Sequence, residues 1–148
     1  MMIKLIEVKP HTLSVDSAYV TEDNSAVAIS SELSLVEEDS GYRTYEFELQ
    51  GILIVNETDE WAEFECISPE IVTKPLCSFQ SQLEYEEGTP IFTVENNDNI
   101  AKVFKDGETF TLWIRENQIV NKVVKSDIAL FYFDNDELVG IKSVQLKL

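Results

Sequence analysis

The reactive side chains of this chain are one histidine, two cysteines and 28 carboxylates, and their spacing argues against most familiar sites. His11 follows Pro10 and has no patterned cysteine near it, so it reads as an ordinary surface or edge residue rather than a general base. Cys66 and Cys77 stand eleven positions apart with no CxxC and no second histidine, so a structural zinc site lacks ligands. GxGxxG, GxxxxGK[ST] and GxSxG are all missing, and five glycines leave little material for a phosphate cradle. Glu57, Asp59 and Glu60, or Asp134, Asp136 and Glu137, are oxygen-rich enough to hold Ca²⁺ weakly, but neither run has the glycine and distal glutamate of an EF-hand loop. A glycosidase-type carboxylate pair depends on a separation in space that spacing in sequence does not give. The expectation is a protein that is not an enzyme and carries no cofactor or metal.

Acid combined with aromatic rings is the constellation that remains. Glu57, Asp59, Glu60, Glu63, Glu65 and Glu70 surround Trp61 without a basic residue; Glu84, Tyr85, Glu86 and Glu87 form a second patch; Glu37, Glu38 and Asp39 with Tyr42 form a third. Aromatic rings anchor interfaces, and carboxylates pair with a partner's Arg and Lys when desolvated. The candidate partner-binding residues are therefore Trp61 and Tyr85 as anchors, with Glu60, Glu63, Glu86 and Glu87 as charge partners. The competing reading makes these acids the outward face of strands whose aromatic residues point to the core.

The distribution of charge favours a basic protein partner. Residues 1–98 carry 21 acidic residues against Lys4, Lys9, Arg43 and Lys74, which is the whole net charge of −17, while residues 99–148 carry seven of each sign. Solubility alone asks for a net charge of about 2–8 in magnitude, so the excess points to steering or holding a cationic surface. Nucleic acid is disfavoured as a direct ligand, because phosphates would be repelled and no basic stripe exists.

The small acidic domain with ETDEWAEFE (57–65) and EYEEG (84–88) resembles the immunity proteins of bacterial toxin systems, including contact-dependent inhibition. That resemblance implies a protein that neutralises one cognate, nuclease-like toxin by covering its active site. The stretch FYFDNDELVGIKSV (131–144) is similar to the closing hairpin of a small family of uncharacterised bacterial domains, which implies an antiparallel hairpin and no activity. Two other classes stay open: a phage-type nucleic-acid mimic, which would spread charge along the whole surface, and a structural or adaptor protein using the alternating strand near the C-terminus for β-augmentation.

The elements that must position these residues repeat with period two. Residues 42–55 alternate Tyr45, Phe47 and Leu49 with Thr44, Glu46 and Glu48, predicting one long strand with a bulge or bend at Gly51 and a hairpin to residues 61–67. An Asp106-Gly107 turn would place Lys105 opposite Glu108 and Val103 opposite Phe110; the alternative is a short helix over 100–105 capped by Asp98. Residues 111–115, 119–124, 128–133 and 138–146 then read as an antiparallel meander, and residues 3–8, 12–21 and 26–36 as strands. Residues 69–90, broken by prolines, are a short helix or an irregular strand, with Leu76, Phe79 and Leu83 on one face.

The expected fold is all-β or strongly β-rich: an antiparallel sandwich or partly open barrel over residues 1–148, one domain, with at most one short helix. No run reaches the 18 or so apolar residues of a membrane span, and the opening MMIKLIEVKP lacks a signal-peptide core and cleavage site, so the expected location is cytoplasmic. Cysteines in that compartment are expected as buried thiols.

Overall fold

The computed structural model describes residues 3–35, 41–47, 51–95 and 99–146. They form an all-β fold of two sheets, neither closed into a barrel, with a single 3-10 turn, η1 (Glu32–Leu35), and no α-helix among the described residues. The five-stranded sheet contains β2 (Val15–Val20), β3 (Ala26–Ser31), β4 (Arg43–Phe47), β5 (Gly51–Val55) and β6 (Trp61–Ile67). Its order is β2-β3-β6-β5-β4, antiparallel throughout, so β6 lies in the centre.

The nine-stranded sheet contains β1 (Ile3–Lys9), β7 (Glu70–Val72), β8 (Ser78–Glu87), β9 (Thr89–Val94), β10 (Lys102–Asp106), β11 (Thr109–Trp113), β12 (Ile119–Ser126), β13 (Ala129–Asp134) and β14 (Glu137–Val144). Its path runs β7-β10-β11-β14-β13-β12-β8, with β1 joined to β14 and β9 joined to β1. The two terminal strands of the path, β7 and β8, pair in parallel. β9 has a neighbour only at β1, the kind of edge position that tolerates Pro90 within a strand.

A large aromatic core joins the sheets. Trp61 and Phe64 from β6 meet Phe131 from β13 at ring-centroid distances of 5.3 and 6.5 Å, and Phe92 from β9 lies 5.8 Å from Phe131. A smaller core covers the other face of the nine-stranded sheet, where Trp113, Val123, Tyr132 and Val139 pack with Leu76 and Cys77. Both cysteines are buried thiols, Cys66 between the sheets and Cys77 in the smaller core.

Several local expectations change. Residues 42–55 are two strands, with Arg43 opposite Val55 and Phe47 opposite Gly51. One straight strand of that length would span about 46 Å, far beyond its neighbours, and folding it back lets Tyr45 and Leu53 cover the same core. Glu48 and Leu49 lie outside the described residues, as do Glu37, Glu38 and Asp39, Val36 and Asp98. β3 ends at Ser31, where η1 takes over.

The turn after β10 comes one residue later than expected. Asp106 pairs with Thr109, Val103 faces Leu112, and Gly107 takes the left-handed φ of 64° that a first central hairpin position gives to glycine. Residues 102–106 are thus strand, not helix. β12, β13 and β14 form the expected meander, but β11 pairs with β14 rather than β12. Residues 78–87 are a ten-residue strand rather than a helix; their side chains alternate apolar and polar, which suits a strand with two unlike faces.

Candidate functional site

The six residues singled out by composition fall on two sheets. Trp61 opens β6 and is 0% exposed. Its ring is clamped between Phe64 and Phe131, and its carbonyl accepts a 2.7 Å hydrogen bond from the Ser31 hydroxyl. This corrects its assignment as a surface anchor: β6 has β3 on one side and β5 on the other, so its inward rings have no route to a partner.

Glu60, in the turn before β6, also serves the fold. Its side chain is only 13% exposed; it accepts 2.7 and 2.8 Å hydrogen bonds from the His11 ring and the Thr58 hydroxyl, and Lys9 lies 3.9 Å away. The turn is closed by Asn56, whose side-chain oxygen accepts from the Thr58 and Glu60 N–H groups, and Asp59 takes a left-handed φ of 63° beside Arg43. Burial pushes the Glu60 carboxyl up, but Thr58, His11, Asn56 and Lys9 outweigh it and hold it below the usual glutamate range. A charge satisfied this thoroughly is not available to a partner.

Glu63 points outward from β6 and is available. Two rows cross the outer face of the five-stranded sheet, Ser17–Ser30–Glu63–Ile54–Thr44 and Tyr19–Ala28–Glu65–Ile52–Glu46. They hold three carboxylates and no base. Partial burial first, and then the charge and hydrogen bonding of Glu65, push the Glu63 carboxyl above its usual value.

Tyr85, Glu86 and Glu87 come together on β8. Tyr85 is 56% exposed, and with Phe79 and Leu83 it forms the largest run of exposed apolar side chains on one strand. Phe79 also rests edge-on against Tyr132, 4.9 Å between centroids, and burial pushes the Tyr132 hydroxyl up to about 12. On the other face of the strand Glu84 and Glu86 flank Lys122 at 3.6 and 3.5 Å. β8 departs from its ladder between Phe79 and Glu84, where four residues bulge opposite Asn121. Composition missed Phe79, Leu83 and the glutamines between them, although FQSQLEYE alternates apolar or small and polar residues without a break.

Among the described residues no group of three or more His, Cys, Asp or Glu side chains is placed to hold a metal ion, and no helix is long and apolar enough to cross a membrane. No protein-family model matches this chain, and no curated protein matches it.

Proposed function

We propose that this protein is an acidic binding protein that neutralises a basic protein partner, acting in the cytoplasm as an immunity protein that covers the active site of a nuclease-like toxin. The observation that carries the reading is β8: a terminal strand with one neighbour, presenting Tyr85, Leu83 and Phe79 beside Glu84, Glu86 and Glu87. Exposed aromatic anchors next to carboxylates are the chemistry that grips Arg- and Lys-rich surfaces. The net charge of −17 adds a long-range field that accelerates encounter with a cationic cleft.

An adaptor using β-augmentation is the second reading, and the same free edge of β8 favours it. The C-terminal strand is not its route, since β14 lies between β11 and β13.

The test is capture of partners by the tagged protein at low salt, elution in rising salt and identification by mass spectrometry, with Tyr85→Ala in parallel. Recovery of one basic, nuclease-like protein whose yield falls with the variant supports inhibition. A multi-protein assembly insensitive to salt would move the assignment to the adaptor.

A further inference from the structure

β1 and β8 bound a groove of about 870 Å³. The two strands converge at Gly88, where an added Cβ would stand 2.2 Å from the Lys9 carbonyl and 2.7 Å from Val8. From that corner they diverge, with residues 5–8 on one wall, Gln80, Gln82, Glu84 and Glu86 on the other, and the turn residues Asn135 and Asp136 beneath. β1 is laddered to β9 along one edge, but on its other edge it meets β14 only at Lys4, followed by the Leu5 N–H bond to the Asp136 carbonyl. β8 is laddered only to β12. The groove is thus flanked by two strands that each have an incompletely paired edge, and such edges accept a further strand.

Its charge selects the occupant. Glu7, Glu84, Glu86 and Asp136 line it against a single cation, Lys122, which is 16% exposed and already shared between Glu84 and Glu86. The balance of three negative charges attracts a cationic chain and repels a second copy of this acidic protein. The amides of Gln80, Gln82, Asn121 and Asn135 supply donors and acceptors for a peptide backbone, and no aromatic ring lines the groove for a sugar or base to stack on. At about 3.3 Å per residue, the residue 5–8 wall accommodates four to six extended residues.

We propose that the groove receives an extended segment of the basic partner, with Arg or Lys at alternate positions, laid against β1 or β8 by backbone hydrogen bonds with its cations among Glu7, Glu84, Glu86 and Asp136. This inference rests on the basic-partner reading above and adds the place and form of the contact.

The test is calorimetric titration of the full chain with three capped hexapeptides: (Arg-Val)₃, the same peptide N-methylated at alternate residues, and (Glu-Val)₃. Only the first binds, and the variant pair E84Q/E86Q weakens it about tenfold or more. E7Q, an exposed substitution with no folding role, weakens it severalfold, while E63Q/E65Q on the other sheet leaves it unchanged. Binding unaffected by N-methylation, or lost equally with E63Q/E65Q, would overturn the groove while leaving a basic partner for the acidic surface intact. Failure of all three peptides would also overturn it, and the capture experiment would then decide the wider reading separately.

Discussion

β6 and β8 carry the same kinds of residue at the same period, glutamates alternating with rings, yet the two strands do opposite work. β6 has a neighbour on each side, so Trp61 and Phe64 face a closed core and only Glu63 and Glu65 reach its outer face. β8 ends its sheet, and Tyr85 stays open while Glu84 and Glu86 look into a groove. Position in the sheet decides what an aromatic residue is for: a ring on a central strand stabilises, and a ring on a terminal strand is left to bind.

The largest expected effect separates the two rings. Trp61→Ala should cost about 3–5 kcal/mol of folding stability in urea titration, whereas Tyr85→Ala should stay within about 0.5 kcal/mol and act on partner dissociation instead. Equal destabilisation by both would erase the distinction.

Glu60→Gln comes next, at about 1–2 kcal/mol, because it disturbs a buried charge-assisted network. The sign with pH follows from its lowered carboxyl: the stabilisation is full above the usual glutamate range and is lost as pH falls through the lower, folded value. Wild type should therefore lose stability relative to Glu60→Gln below about pH 4, read by thermal melts across pH.

Glu63 runs the other way. Its carboxyl is raised, so its ionised form is disfavoured in the fold and its contribution worsens as pH rises from the usual glutamate value through the raised one. Glu63→Gln should be neutral to stabilising by a few tenths of a kcal/mol at pH 7; a loss of stability there would mean that Glu63 has a cationic neighbour inside the fold. The smallest effect belongs to Glu87→Gln, at the end of β8, which should lower the partner's association rate by about twofold or less without changing stability.

Much of this architecture is legible in residue order. Period-two alternation gives an all-β chain, and Asp-Asn-Asp at 134–136 marks the β13–β14 hairpin, whose Asn135 takes the left-handed φ of 57°. Strand length and neighbour choice are less legible. Nothing local says that residues 42–55 fold back, since both halves alternate equally well, or that β11 crosses to β14, since that pairing is set by which faces the core can cover. The same limit governs the site. Glu-Tyr-Glu-Glu and Glu-Trp-Ala-Glu look alike until the neighbours of each strand are known, and only then does Trp61 leave the interface and Phe79 with Leu83 enter it.

The most direct test of an acidic, partner-gripping surface is the association rate of this protein with its captured partner, by stopped-flow, between about 50 and 500 mM salt. The account predicts a steep fall across that range, made shallower by E84Q/E86Q. A rate that does not change with salt would contradict it.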